Sequence, residues 1–168
     1  QVKLDVKKDM EFPFLPRFGL RLFLDQSLDR VRYCGMGPDE SYPDKHQASW
    51  HGIFEGDVRA MHRPYLKPQE YGSHWDCSWC ELSGEEMSFQ ASSKEGFMFQ
   101  ACEYTQEELS EKAHDFELKE AGCTVLCLDH NQSGIGSGSC GPQLLEKYQF
   151  NEPEFSRTWV ITPGKRKE

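Results

Sequence analysis

Long apolar runs are missing from this sequence, and basic residues cluster at one place only. No hydrophobic stretch approaches the ~20 residues that span a bilayer, which argues against a membrane protein. The formal net charge of -9 argues against nucleic acid and against an anionic membrane surface, since both select clustered Lys and Arg. The one dense basic cluster, Lys165–Lys167, lies at the C-terminus and is interpreted as a solvated tail.

Signals for secretion are missing too. No signal-peptide pattern is visible, and the seven cysteines are scattered rather than spaced as a disulfide framework. This use of cysteine favours a reducing, cytoplasmic setting. Because the sequence opens on Gln1 rather than Met, we expect it to be processed or cut from a longer chain.

Familiar catalytic motifs do not occur. The six histidines show neither HxH nor HExxH spacing, there is no G-x-S-x-G elbow, and Gly134–Gly138 lacks the Lys-Ser/Thr of a phosphate-binding loop. Adjacent carboxylates such as Asp39–Glu40 are expected to be solvated. No two carboxylates can be identified as the facing pair of a glycosidase. We therefore predict no catalytic residue, metal site or cofactor in this chain.

What the sequence does contain is period-two alternation of apolar residues, which is typical of half-buried strands. Thr105 and Glu108 form a capping box for one helix near 105–117, with Leu109 and Phe116 on its apolar face. Strands do not alternate with helices, so the class is all-β, an antiparallel sandwich or barrel, in a single domain of residues 1–168. The predicted strands are 2–6, 18–24, 30–34, 50–57, 74–81, 87–91, 96–102, 124–128 and 155–161.

The pair Cys77–Cys80 is a candidate zinc or redox motif. It has no second pair, and its alternation with Trp75 and Trp79 indicates a strand. Residues three apart in a strand point to opposite faces about 10 Å apart, too far for a disulfide. We interpret the pair as structural. The four Trp are likewise interpreted as core residues, with sugar stacking as the alternative.

The stretch Gly134–Gly141 contains four glycines in eight residues. Glycine disfavours regular structure and permits close approach of another molecule to the main chain. The stretch lies between ordered elements, where binding residues are commonly carried. His130, just before it, is a candidate general base, although a histidine hydrogen-bonded within the loop is the preferred interpretation.

Three stretches together resemble the β-galactosidases of glycoside hydrolase family 2. Tyr33–Asp44 is similar to the family segment W/Y-x-G-x-G-P-x-E-x-Y-P-D, and Pro64–Gly72 to P-Y-x-x-P-x-E-N-G. Asp129–Pro142 is similar to the family's D-x-x-x-x-G-I-G-G-D-D-S-W-x-P loop. Their order and approximate spacing match, and the resemblance covers residues near 17–150.

The resemblance implies a C-terminal, small-chain β-sandwich domain with a galactose-mutarotase-like fold. The full enzyme would hydrolyse terminal β-galactosides with retention, and its two catalytic glutamates would lie in a separate barrel domain. The isolated chain is then expected to be inactive. Its implied partners are that barrel, the galactoside substrate and, in an oligomer, further copies; a divalent metal would belong to the catalytic domain.

The resemblance also places the glycine loop at the rim of the substrate pocket. The substrate-binding residues carried over are Ser137, Gly138, Ser139 and Cys140. Cys140 stands where the family has a Trp that packs against the sugar, so the contact is expected to be weaker or the site wider. Tyr71 stands where the family pattern has Asn.

Two other functions remain open from the residues alone. One is a stand-alone sugar-binding module or mutarotase-like epimerase, for which His130 and Glu70 are the candidate acid and base. The other is a structural domain that mediates oligomerisation.

Overall fold

The computed structural model describes residues 1–136 and 141–165, and these contain eight antiparallel strands. A six-residue helix, α1 (Gln106–Glu111), and three short 3-10 turns at Arg59–Met61, Asp115–Glu117 and Glu146–Tyr148 lie between them. The strands are β1 (Val2–Lys7), β2 (Arg17–Leu24), β3 (Arg30–Gly37), β4 (Trp50–Asp57), β5 (Ser73–Ser83), β6 (Met87–Cys102), β7 (Thr124–Gln132) and β8 (Glu154–Lys165).

The sheet branches at β6. Along one edge β6 pairs with β5, which continues through β3 to β4. Along its other edge the first part of β6 pairs with β8, which in turn pairs with β1. The last part of β6, Met98–Cys102, pairs with β7, which in turn pairs with β2. The chain between these two parts bends at Gly96 (φ 70°), opposite an irregularity in β5 where Asp76 has φ 53°. Bulges increase local twist, which directs the two parts of β6 toward different neighbours.

Residues from both arms of the branched sheet share one hydrophobic core. In β3, Val31 and Tyr33 are buried while Arg30 and Arg32 are exposed, as the alternation predicts. Trp159 of β8 is 0% exposed and packs in the same cluster as Leu126 and Leu128 of β7. Burying each side chain of this size contributes about 1.5–3 kcal/mol. The predicted all-β, antiparallel sandwich class is confirmed.

Several element boundaries differ from the predictions. The two strands predicted at 87–91 and 96–102 are one 16-residue strand, since Gly96 bends β6 without ending it. The last strand continues through Pro163, which pairs with Phe89. Pro lacks an N–H donor and is tolerated at an open sheet edge; the register of β1 with β8 ends at Trp159.

The helix is shorter than predicted. Thr105 caps it as expected, accepting a hydrogen bond from the Glu108 N–H at 3.1 Å, and Leu109 is buried. However, α1 ends at Glu111 and Phe116 is 84% exposed in the separate turn that follows. Glu108 Oε1 accepts from the Lys119 N–H instead of closing the capping box.

Candidate functional site

The carboxylate of Asp44 holds the base of the glycine loop. Its Oδ1 accepts a hydrogen bond from the Ile135 N–H at 3.0 Å, and its Oδ2 accepts one from the Gly136 N–H at 2.9 Å. A Cβ at position 134 would overlap this carboxylate. Only glycine therefore allows the chain to pass so close to Asp44, and the two charge-assisted bonds fix its direction as it leaves β7.

A buried turn positions Asp44. Tyr42 and Lys45 exchange backbone hydrogen bonds of 2.9 and 3.0 Å, and the Tyr42 side chain is completely buried. Glu40, just before this turn, contacts the Lys45 ammonium and the Tyr65 hydroxyl, and accepts from the Gly72 N–H at 2.7 Å. The segment 33–44 is thus tied to the segment 64–72 on one side and to the glycine loop on the other.

A second connection joins the segment 64–72 to the start of the glycine loop. Arg17 donates from Nη1 to Glu70 Oε2 at 2.7 Å and from Nη2 to Asp129 Oδ2 at 2.5 Å. Burial raises the pKa of Asp129 and of Glu70, and the Arg17 guanidinium opposes this in both. Burial alone would lower the pKa of Arg17, but the two carboxylates outweigh it and raise that pKa. The guanidinium is therefore charged, with two carboxylates and one cation in contact.

The loop base, residues 134–136, contributes to the lining of two depressions. One is a cleft of about 830 Å³ between the segments 14–17, 67–70 and 132–135 and helix α1; we call it the α1 cleft. The other, of about 360 Å³, is lined by Asp44, Gly136 and residues of 141–148. Gly134 and Ile135 line the first depression and Gly136 lines the second, so a ligand in either depression would lie beside the loop base.

Comparison with known proteins identifies the family of this arrangement. The family described as "Beta galactosidase small chain" matches residues 1–161. The chain belongs to this family. The resemblance found in the three sequence segments is thereby confirmed, and the Asp44, Glu40 and Arg17 contacts are what bring those segments together.

Individual relatives agree with the family match. The chain is 45% identical over 154 residues to a β-galactosidase of Actinobacillus pleuropneumoniae, covering 92% of this chain and 15% of that protein. It is 39% identical over 157 residues to one of Staphylococcus xylosus, covering 92% and 16%. A β-galactosidase of Kluyveromyces lactis is 33% identical over 149 residues, covering 86% and 14%. This small-chain segment thus spans about 15% of the length of such relatives.

The four predicted substrate-binding residues, Ser137, Gly138, Ser139 and Cys140, lie outside the described residues. Their neighbours on both sides are described. Gly136 is held by Asp44, and Gly141 with Pro142 lines the smaller depression. The assignment of substrate contacts to these four residues stays a prediction.

His130 is hydrogen-bonded, but its partners are Arg157 of β8 and Glu152 rather than residues of the glycine loop, where the preferred interpretation expected them. Its Nδ1 accepts from Arg157 Nε at 2.8 Å, so its Nε2 carries the proton and lies 3.3 Å from Glu152 Oε1. The ring stacks on Phe155 with centroids 4.2 Å apart. Burial and Arg157 lower the pKa of His130. Glu70, by contrast, lines the α1 cleft, so the candidate epimerase pair is not brought into one site.

The Cys77–Cys80 pair lies in the core, as its interpretation as structural expects, but the geometric expectation for it was wrong. Both thiols are fully buried in the same core, since the β5 irregularity between Cys77 and Trp79 interrupts the alternation of faces. Burial raises the pKa of both, which makes them poor nucleophiles. In the described part of the chain, no group of three or more His, Cys, Asp or Glu side chains is arranged to hold a metal ion.

Two other expectations need correction. Glu40 was predicted to be solvated beside Asp39, yet it is buried and ion-paired. Trp50 was predicted to be a core residue, yet it is 59% exposed at the edge strand β4. Trp159 alone of the four is fully buried; Trp75 and Trp79 are half-buried.

Sequence reasoning did not single out Arg17. Its only signal is an Arg directly after Pro16 at the start of a strongly apolar strand, where a charge needs a buried partner.

Among residues 1–136 and 141–165, no helix is long and apolar enough to cross a membrane.

Proposed function

We propose that this chain is the C-terminal small-chain domain of a β-galactosidase and presents the glycine loop to the rim of a substrate pocket. The pocket itself, with the nucleophile and the acid/base carboxylate of a retaining hydrolase, would belong to a barrel domain elsewhere in the polypeptide. The partners of this domain would be that barrel, a terminal β-galactoside and, in an oligomer, further copies. The domain itself would comprise residues 1–168.

The observation that carries the proposal is the Asp44 clamp. Two hydrogen bonds from one carboxylate to consecutive backbone N–H groups define where residues 137–140 start. A loop that contacts substrate needs such support, because a small displacement of a positioning group costs a large factor in rate. The family match supplies the enzyme class, and the clamp supplies the reason for the glycines at 134 and 136.

The cytoplasmic setting belongs to the same proposal. The six cysteines among the described residues are thiols, and burial raises the pKa of several of them, including Cys80 and Cys102. This burial fits a protein whose cysteines serve packing rather than cross-linking.

The clamp can be tested in the full-length polypeptide that contains this chain. We expect Asp44→Ala to lower kcat/KM for a chromogenic β-galactoside by about 10- to 100-fold, which corresponds to losing about 1.4–2.8 kcal/mol of loop positioning. Asp39→Ala is the matched control. Asp39 lies in the same segment but is exposed and bonded to Arg63, so kcat/KM should stay near the wild-type value.

Two results would count against the proposal. One is equal kinetics for Asp44→Ala and Asp39→Ala, with both proteins folded by circular dichroism. The other is turnover of the galactoside by the isolated chain, since it would place the catalytic carboxylates here.

Cys140→Trp in the full-length polypeptide should change galactoside affinity or the balance of hydrolysis and transfer to sugar acceptors. An unchanged profile would remove the loop from the pocket rim.

A further inference from the structure

The α1 cleft contains a buried acceptor without a partner. The Oε1 atom of Gln132 is buried and makes no hydrogen bond among the described residues, and the whole residue is 6% exposed. An unsatisfied buried polar atom is costly, so it is uncommon unless a ligand or water completes it. Gln132 lines the α1 cleft, which is where a group completing it would be expected.

Beside Gln132, the ion cluster offers both donors and acceptors. Arg17 has five N–H donors, and its described bonds use one each on Nε, Nη1 and Nη2. Glu70 Oε1 accepts from Ser73 and its Oε2 from Arg17, and the Gln132 side chain also donates to this carboxylate. The side chains of Arg17 and Glu70 are 24% and 22% exposed. A ligand group that both donates and accepts could bond the Arg17 donors and the Glu70 acceptors at the same time, and a hydroxyl is such a group.

The walls of the cleft are apolar and its charges balance. Phe14, Leu109 and Ile135 line it, which suits the C–H faces of a sugar ring. Lys67 at the rim and Arg17 offset the charges of Glu70 and of Asp129 behind it. Such a balance favours a neutral ligand over an anion or a cation. The volume of about 830 Å³ lies within the usual ~300–1,000 Å³ of small-molecule sites.

We propose that the α1 cleft is a saccharide-binding site, in which sugar hydroxyls bond Gln132, Arg17 and Glu70 and a ring face packs on Phe14 and Ile135. Among the described residues, the α1 cleft shares no lining residue with the depression lined by Asp44 and Tyr148. It does not depend on the role proposed for residues 137–140. A sugar held there touches Ile135, whose N–H is bonded to Asp44, and so contacts the loop base directly.

The experiment is an NMR titration of the isotope-labelled chain with galactose and lactose, and with galacturonate and galactosamine as charged analogues. We expect shifts at Arg17, Gln106, Gln132 and Ile135 with the neutral sugars, and weaker binding of both analogues. Gln132→Leu should weaken binding about 5- to 10-fold, the factor for one lost hydrogen bond. The matched control is Gln143→Leu, in the other depression, which should bind as the wild type does.

A second variant protects the test if Gln132→Leu does not fold. Ser110 is exposed on α1 at the mouth of the cleft, so Ser110→Trp should block entry without disturbing the core. The proposal is overturned if the shifts appear only at residues 141–148, if Gln143→Leu rather than Gln132→Leu weakens binding, if Ser110→Trp binds normally, or if no neutral sugar binds. None of these outcomes bears on the galactosidase kinetics of Asp44→Ala, so the two proposals fail separately.

Discussion

Replacing Arg17 by Met should show how strongly the buried ion cluster stabilises the chain. The substitution keeps an unbranched side chain but leaves Asp129, whose side chain is 4% exposed, and Glu70 without their cation. Removing one partner of a buried ion pair costs about 3–5 kcal/mol. Because about a quarter of Arg17 is open to the α1 cleft, we expect the low end, about 3 kcal/mol near pH 7.

The effect of Arg17→Met should depend on pH in a defined direction. Burial already raises the pKa of Asp129 and Glu70, and Arg17 opposes that rise. Without Arg17 both pKa values rise further. A carboxyl whose folded pKa exceeds its unfolded value of about 3.9–4.3 contributes stability below that value and loses it as the pH rises through the folded pKa. The variant should therefore recover part of its lost stability between about pH 7 and about pH 5.

The assay is urea unfolding of wild type and variant at both pH values, followed by tryptophan fluorescence. Arg59→Met is the matched control. Arg59 also bonds two carboxylates, Glu103 and Glu120, but its side chain is 70% exposed, so its loss should cost far less stability than the loss of Arg17. Equal costs for the two variants, or a cost for Arg17→Met that does not shrink on acidification, would refute the reasoning.

Two further substitutions test the loop base and its neighbour His130. Gly134→Ala places a Cβ against the Asp44 carboxylate and should destabilise the chain by about 1–3 kcal/mol, measured by urea unfolding. The control is Gly141→Ala, whose Cβ would have no described residue within 4 Å, and it should cost clearly less. Protonated His130 could not accept the hydrogen bond from Arg157. Because the folded pKa of His130 is lowered, its contribution to the free energy of unfolding is present above the unfolded pKa of about 6.5. That contribution is lost as the pH falls through the folded pKa. His130→Phe should retain packing on Phe155 and flatten this part of the stability–pH curve; an unchanged slope would show that another group titrates.

Local features were predictable because they depend on neighbouring residues. Alternation in Phe18–Leu24 corresponds to β2, and the short strand predicted over Trp50–Asp57 corresponds to β4. Thr105 caps α1 as predicted, since the pattern of one strand or cap is set within a few residues. The end of α1 at Glu111 and the exposure of Phe116 were not predicted. Helical spacing indicates which residues could share a face, but not whether a neighbouring element packs against that face.

The family segments were recognised in the sequence, whereas the reason for their residues was not. Asp39 and Glu40 look alike as adjacent carboxylates, yet one is exposed and the other buried with Lys45 and Gly72. The glycine at 134 looked like a requirement of ligand approach. Its immediate reason is the approach of Asp44, a residue 90 positions earlier in the chain.

From residue pattern alone came the all-β class, most strand positions, the family and the importance of the glycine loop. Tertiary structure alone revealed the branch at β6, the Arg17–Glu70–Asp129 cluster and the Asp44 clamp. The physical reason is separation along the chain. Strand pattern and caps follow from local sterics and hydrogen bonds, but a buried charge finds its partner only when distant strands pair in one particular register.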